Sequence, residues 1–214
     1  MSVNKPNVIL AASMPRSGST WLFNIARLLI INSRENMADN FSSGWIDDVE
    51  TIPTKPLMML KVHNFRQTYI DQASFVFYSF RDVRDALASS HRKFNQEPTL
   101  EIASSVIENH ERWIKCAGFI MKYEDMANNK IALVDGLAEK LGIKSYDAAS
   151  TISQVDNMKA QNVNSRNFDP NNLYHEGHIT DGRHGSWENS ISKELESQIV
   201  EKHYDWFKRY GYVS

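Results

Sequence analysis

The chain has 214 residues, of which 42% are hydrophobic, and neither a repeat nor a break in composition marks a second domain, so one buried core is expected. Its 24 basic and 26 acidic residues leave a formal net charge of -2, which argues against a partner bound by bulk charge, such as nucleic acid or a membrane surface. The single cysteine, Cys116, excludes an intramolecular disulfide framework, and no apolar run approaches the ~18 residues of a membrane span. We therefore expect one domain over residues 1–214, in the cytoplasm and without a transmembrane segment.

The first 80 residues contain three apolar runs that predict strands. Asn7–Ser13 has a continuous apolar centre, which is typical of a strand buried on both faces of a parallel sheet. Two further strands are predicted over residues 57–63 and 74–80. Between the first and second strands, the apolar spacing predicts a helix over Ser19–Asn32, and the polar segment 33–56 is expected to be loop or short helix.

Helical spacing predominates in the rest of the chain. It predicts helices over residues 81–94, 100–117 and 131–143. Asp82 is placed to cap the first of these helices, and Gly142 is placed to end the last.

The remaining segments complete an alternation of strands and helices. A short apolar run at 119–125 predicts a fourth strand, and residues 161–190 are expected to be a long loop, either functional or disordered. Residues 192–212 are typical of a capped amphipathic helix. This order predicts a single α/β domain with a central, mainly parallel sheet flanked by helices. Ligands of such sheets bind beyond the carboxyl ends of the strands.

The segment MPRSGSTW, residues 14–21, joins the first predicted strand to the first predicted helix. A Gly/Ser turn at a helix N-terminus presents backbone amides to a phosphate, and Trp21 offers an aromatic face to a base. The lysine of a nucleoside triphosphate loop is absent. The predicted phosphate ligands are the Arg16 side chain and the backbone amides of Ser17, Gly18, Ser19 and Thr20. The alternative is a structural turn with Trp21 in the core.

Two other strand ends carry polar side chains that could complete a site. Lys61 and His63 are two residues apart, so strand alternation places both on one side, where the cation would favour a neutral imidazole able to act as a base. A lone histidine at a strand end is more often structural. Arg81 ends the next strand, and Ser89 lies in the following helix, where both would reach a second phosphate. The alternative is a helix with surface ion pairs.

These segments together resemble the sulfotransferases that use 3'-phosphoadenosine 5'-phosphosulfate (PAPS), in particular the cytosolic type. The 5'-phosphosulfate loop of that family reads PKSGTTW, and PRSGSTW differs from it only at Arg16 and Ser19. The KTH segment of the family, which carries its catalytic base, is matched by residues 61–63. Its 3'-phosphate motif RNPKDVAVS corresponds to residues 81–89.

Two more matches follow in the same order. The YED segment of the family contributes a tyrosine near the adenine and is matched by Tyr123 and the two residues after it. The motif RKGxxGDWKN is similar to residues 180–189, although Thr and Asp stand in place of Arg-Lys. The resemblance implies that Gly182 still presents its amide and that one contact with the 3'-phosphate is either missing or supplied by Arg183.

The resemblance implies a P-loop-like nucleotide-binding fold and an enzyme that transfers the sulfuryl group of PAPS to a hydroxyl or amine. It implies His63 as the base, and Lys61 and Arg16 as the groups that stabilise the departing phosphate. Arg16 is a poor proton donor because a guanidinium stays protonated above pH ~12, so Lys61 is the better donor. The implied product is adenosine 3',5'-bisphosphate (PAP), and no metal is implied. The acceptor, whether small molecule, glycan or lipid, is left open.

Two other functions stay open at this stage. A small-molecule kinase would share the strand-loop-helix opening but would need the missing loop lysine. A silent nucleotide-binding module would keep Trp21, Arg81 and Ser89 without needing His63. A metal site at His175, His178 and His184 is not expected, because their spacing matches no zinc signature.

Overall fold

A computed structural model describes residues 7–33, 37–160, 163–164, 168–175 and 183–213. Within these ranges the strands form one all-parallel sheet in the order β2-β3-β1-β4-β5. The strands are β1 (Asn7–Ser13), β2 (Phe41–Trp45), β3 (Leu57–Val62), β4 (Ala73–Phe80) and β5 (Phe119–Lys122). Their carboxyl ends meet at one edge of the sheet, which confirms the predicted α/β class.

Helices cover both faces of the sheet. They are α1 (Ser19–Asn32), α2 (Met37–Asn40), α3 (Gln67–Ile70), α4 (Val83–Phe94), α5 (Leu100–Trp113), α6 (Tyr123–Asn128), α7 (Lys130–Lys140), α8 (Ala148–Asp156), α9 (Lys193–Lys202) and α10 (Tyr204–Arg209). Short 3-10 helices lie at Ile46–Asp48 and Ser186–Asn189. No helix in these described ranges is long and apolar enough to cross a membrane.

The central strand β1 contributes to a different core on each face. Ile9 and Ala11 pack with side chains of α1, α7 and α8, whereas Leu10 and Ala12 pack with side chains of α4, α5, α9 and α10. A strand covered by helices on both faces needs apolar residues at successive positions rather than at alternate ones. The continuous apolar run of β1 is therefore explained by burial on both faces of the sheet, as predicted.

The expectation of loop or short helix over residues 33–56 was wrong at its centre. Phe41–Trp45 forms the edge strand β2, in parallel register with β3, so that Trp45 lies opposite Lys61. The sequence FSSGW has little local preference for a strand, because two serines and a glycine offer little side chain to pack. Pairing with β3 supplies the hydrogen bonds that this local sequence does not predict.

Several helix and strand boundaries also differ from the predictions. Helix α5 ends at Trp113 rather than at Ala117, and the predicted strand 119–125 ends at Lys122, where α6 begins. The C-terminal amphipathic segment is divided at His203 into α9 and α10. Local turns at these points replace the longer elements that apolar spacing alone suggested.

Helix α8 was not predicted, although its N-cap carries a recognisable signal. The Asp147 carboxylate accepts a hydrogen bond from the Ser150 amide at 2.9 Å, as an N-cap residue does. The predicted end of α7 is confirmed: Gly142 has φ +69°, and the amides of Gly142 and Ile143 bond back to the carbonyls of Glu139 and Ala138.

The charged residues at the start of α4 are buried, so the alternative of surface ion pairs was wrong for this cluster. Asp82 caps the helix by accepting from the Arg84 amide at 2.9 Å and also pairs with the Arg84 guanidinium at 2.7 Å. Arg84 in turn reaches Glu196 on α9 at 2.8 Å and lies over the Trp187 ring. The pair therefore connects the strand end that carries Arg81 to the C-terminal helices.

Replacing Asp82 by Ala is expected to lower the free energy of unfolding by about 3 kcal/mol, because the change removes a helix cap and leaves the buried Arg84 charge partly unpaired. Urea denaturation followed by circular dichroism measures this change. Glu50→Ala, which removes an exposed acid, is the control and should change stability by less than about 0.5 kcal/mol. Equal stability of the two variants would contradict the role given to Asp82.

Candidate active site

A cavity of about 760 Å³ lies at the carboxyl edge of the sheet. Its walls come from the turn after β1, the ends of β3 and β4, and helices α4, α6 and α8. The predicted site residues that line it are Arg16, Gly18, Ser19, Thr20, Trp21, Lys61, His63, Arg81, Ser89 and Tyr123. The parallel topology thus brings Arg16 and Tyr123, which are 107 positions apart in the chain, to one cavity.

The turn after β1 is held by hydrogen bonds to the end of β4. The Met14 amide donates to the Ser79 carbonyl at 2.8 Å, and the buried Ser17 hydroxyl donates to the Met14 carbonyl at 2.7 Å and contacts Ser79. Arg16 and Gly18 both have positive φ, 65° and 74°, which turns the chain sharply before α1. Ser17 therefore ties the loop to the sheet through its side chain, and only its amide is left for a ligand.

Glycine is required at position 18 for two reasons. Its φ lies in the left-handed region, and an added Cβ would lie 3.0 Å from the Tyr123 ring. The ring of Tyr123 also lies under the Arg81 guanidinium, 4.2 Å from its carbon to the ring centroid. The phosphate loop and the predicted adenine-side tyrosine thus pack directly against each other.

The imidazole of His63 is oriented by Ser13 at the end of β1. His63 Nδ1 lies 3.0 Å from the Ser13 carbonyl and 2.8 Å from the Ser13 hydroxyl. Because a carbonyl only accepts, the first contact requires a proton on Nδ1, which leaves Nε2 as the basic nitrogen. Ser13 was missed by sequence reasoning, since its place in an apolar strand carries no functional signal.

Lys61 lies beside His63, as strand alternation predicted. Its ammonium donates to the buried Thr20 hydroxyl and lies 5.1 Å from the centre of the Trp45 ring. Burial, with a contribution from Arg16, lowers the pKa of Lys61 to about 7. Burial is also the largest cause that lowers the pKa of His63 to about 4, and Lys61 adds to it. His63 is therefore neutral at neutral pH.

Helix α5 fixes the backbone of His63. The His63 carbonyl accepts from Asn109 Nδ2 at 2.8 Å and from Trp113 Nε1 at 2.9 Å, while Asn109 Oδ1 accepts from the Phe65 amide at 2.8 Å. Trp113 is fully buried, so it contributes to the core as well as to this contact. Neither residue had a local signal, because both act through a strand end that is distant in sequence.

A second group of cations lies on the β4 side of the cavity. Arg16 Nε donates to the Ser89 hydroxyl at 2.9 Å, and Arg81 donates to the Arg16 carbonyl at 3.2 Å. Burial lowers the pKa of Arg16, and the neighbouring Arg81 and Arg92 lower it further. Arg81 Nε is buried and has no hydrogen-bond partner among the described residues. This concentration of positive charge is suited to a phosphate group.

The described start of the C-terminal motif is held beside Arg81 by Asp85. The Asp85 carboxylate pairs with Arg81 at 3.3 Å and accepts from the amides of Gly185 and Trp187 at 2.7 and 3.1 Å. The Arg183 carbonyl accepts from Arg81 at 3.0 Å, although the Arg183 side chain is exposed and does not line the cavity.

Two sequence predictions around this motif fall beyond what the structure covers. Gly182 lies outside the described residues, as does His178. Among the residues that are described, no group of three His, Cys, Asp or Glu side chains is arranged to hold a metal ion.

Trp21 is fixed at the other end of the cavity. Its indole Nε1 donates to Asp156 Oδ1 at 2.9 Å, and the Lys130 ammonium donates to Asp156 Oδ2 at 2.6 Å. Trp21 is 8% exposed and lines the cavity, so it contributes both to the core and to the site wall. Asp156 was missed because it lies on the unpredicted helix α8.

The model of the sulfotransferase domain family matches residues 6–211. The chain belongs to this family. The sequence resemblance that rested on five short motifs is thereby confirmed over nearly the whole sulfotransferase chain. No curated protein sequence gives a significant match to it.

Solved structures share the fold of this sulfotransferase at low sequence identity. Mouse sulfotransferase SULT7A1 complexed with PAP is 16% identical, with a TM-score of 0.69 over 99% of this chain and 90% of that one. Retinol dehydratase in complex with androsterone and the inactive cofactor PAP is 17% identical, with a TM-score of 0.68 over 97% and 82%. The same enzyme with retinol and PAP gives 15% and 0.62 over 97% and 83%. These similarities confirm the predicted sulfotransferase fold.

The sulfotransferase is expected to keep His63 neutral far below the usual pH range of histidine. Nuclear magnetic resonance of the labelled imidazole should give a titration midpoint near pH 4. Lys61→Met removes a cation that lowers this pKa, so the midpoint should rise; Lys144→Met, which removes an exposed lysine, is the control and should leave it unchanged. A midpoint near ~6.5 in the parent protein would contradict the described environment.

Proposed function

We propose that this protein transfers the sulfuryl group of PAPS to a hydroxyl or amine of an acceptor. One observation carries the proposal. The same cavity is lined by three cations, Arg16, Lys61 and Arg81, and by a neutral His63 that is held in one orientation. PAPS supplies an activated sulfuryl group attached to a phosphate. The cations match the anionic groups of that donor, and the imidazole matches the need for a base.

The donor would lie along the edge of the sheet. The amides at the start of α1, together with Arg16 and Lys61, are suited to the 5'-phosphosulfate, because the first turn of a helix has amides without intrahelical partners. Arg81 and Ser89 are suited to the 3'-phosphate, and Trp21 and Tyr123 to the adenine. The solved relatives described above hold PAP, which supports this choice of donor.

The chain supplies positioning and charge for the reaction. His63 Nε2 would accept the proton of the attacking hydroxyl, since Nδ1 is committed to Ser13. Arg16 and Lys61 would stabilise the charge that develops on the departing phosphate oxygen. A pKa of Lys61 near 7 also makes its ammonium a better proton donor than a guanidinium.

The competing functions receive less support from the same residues. The lysine expected of a kinase loop is replaced within PRSGSTW, and Lys61 approaches from another strand to contact Thr20. A protein that only bound the nucleotide would not need the contacts from Ser13, Asn109 and Trp113 that fix His63. Cytoplasmic location and the acceptor type, whether small molecule, glycan or lipid, stay predictions, as does the single domain over residues 1–214.

His63→Ala is expected to separate binding from catalysis. Because the variant keeps the phosphate loop and the cations, PAP should raise its melting temperature and bind in calorimetry about as it does in the parent protein. Transfer from labelled PAPS should fall by at least about 100-fold, since a positioned base contributes roughly 10²- to 10⁴-fold in rate.

Two results would overturn the proposal. Absence of PAP binding to the parent protein would remove the donor, and near-parental turnover in His63→Ala would remove the base. Magnesium-dependent turnover of ATP without response to PAP would indicate the kinase instead.

Arg81→Ala should lose most of the preference for PAP over 5'-AMP, because a charge-assisted hydrogen bond to phosphate contributes about 1.5 to 3 kcal/mol. The ratio of the two dissociation constants measures this effect, since a general loss of structure weakens both ligands alike. Ser89→Ala should reduce the same ratio by a smaller factor. The exposed Arg112→Gln is the control. An unchanged ratio in Arg81→Ala would move the 3'-phosphate site, with Arg183 the next residue to test.

A further inference from the structure

A groove of about 250 Å³ lies at the ends of β2 and β3, and we name it the β2 groove. Its lining includes Trp45, Asp47, His63, Asn64, Arg66 and Tyr69. Trp45 and His63 also line the large cavity, so His63 borders both spaces. A molecule in the β2 groove would therefore meet the proposed base without entering the space of the donor.

The order of the strands places this groove on the acceptor side of the site. Along the carboxyl edge, β4, β1, β3 and β2 follow one another and carry in turn Arg81, the phosphate loop, His63 and Trp45. A donor with its 3'-phosphate at Arg81 would present its sulfuryl group near His63. In-line transfer needs the attacking oxygen on the far side of sulfur from the departing phosphate, which is the β2 side.

The polar side chains of the β2 groove are available to a ligand. Within the described ranges, Asp47, Asn64 and Arg66 make no side-chain hydrogen bond or ion pair with another residue; the Arg66 guanidinium lies 5.4 Å from the centre of the Tyr69 ring. A carboxylate only accepts hydrogen bonds, a guanidinium only donates them, and an amide does both. An apolar acceptor would cover these groups without giving them partners.

A ligand with several hydroxyl groups gives hydrogen-bond partners to these three polar side chains, because each hydroxyl both donates and accepts. The aromatic side chains of Trp45 and Tyr69 add surfaces against which the C–H face of a sugar ring can pack. We propose that the β2 groove is the acceptor site and that the acceptor is a saccharide. The inference rests on the proposed function, since it takes the donor position from it.

The reaction then forms a sulfate ester on the saccharide. The saccharide oxygen bonds to sulfur, the bond between sulfur and the 5'-phosphate oxygen breaks, the hydroxyl proton passes to His63, and PAP leaves with the bonding electrons. No oxidant or metal-bound reagent enters this balance. The saccharide class also sets this chain apart from the solved relative that holds androsterone or retinol.

A panel of acceptors with sulfur-labelled PAPS tests the substrate class. Glucose, N-acetylglucosamine and cellobiose are compared with 4-nitrophenol and androsterone. We expect label in at least one saccharide, at a higher rate than in the phenol or the sterol. Label in none of the saccharides, or faster transfer to 4-nitrophenol or androsterone, would overturn the saccharide assignment while binding of PAP still upheld the donor.

Two charge-removing variants test the location. Asp47→Asn and Arg66→Gln should each raise the KM for the labelled saccharide about ten-fold, with kcat and PAP affinity retained, because each loses a charged hydrogen-bond partner. Asp39→Asn and Arg112→Gln remove exposed charges elsewhere and should leave KM unchanged. An unchanged KM in both groove variants would overturn the location, whereas failure of the parent protein to bind PAP would overturn the proposed function itself.

Discussion

The concentration of positive charge at the carboxyl edge of the sheet is the constraint on which the rest of the site depends. Arg16, Lys61 and Arg81 come from three different segments and line the same cavity. The pKa of Arg16 and the pKa of Lys61 are both lowered, first by burial and then by neighbouring guanidinium groups. Hydrogen bonds and ion pairs with the surrounding residues hold these cations together, and an anionic ligand would reduce the repulsion among them.

Two acidic side chains hold residues of the cavity wall in place. Asp85 pairs with Arg81 and accepts from the backbone of the segment that begins at Arg183, so one carboxylate joins β4 to the C-terminal motif. At the opposite end of the cavity, the Asp156 carboxylate accepts hydrogen bonds from the Trp21 indole and the Lys130 ammonium. Asp85 lies outside the cavity lining, whereas Asp156 is part of the cavity wall, beside Lys130.

The imidazole of His63 stays neutral beside these cations. A protonated His63 would add another positive charge beside Lys61, so burial and repulsion together keep it unprotonated. Its orientation comes from Ser13 on β1 and from α5, two elements that also form part of the core. The proposed base is therefore held in place by elements that also stabilise the sheet, and His63 borders both the large cavity and the β2 groove.

The sequence by itself determined the class of fold and most of the candidate site. Continuous apolar runs, helical spacing and the PRSGSTW turn are local properties, and strand alternation was enough to place Lys61 beside His63. The strand β2 and the orienting contacts from Ser13, Asn109 and Asp156 were decided only by the tertiary structure. Each of these depends on a partner distant in sequence: β2 takes its hydrogen bonds from β3, and the Asp156 carboxylate gains its role from Trp21. Local sequence carries the preference of a segment for strand or helix, whereas an edge strand or a positioning contact exists only once the chain has brought its partner alongside.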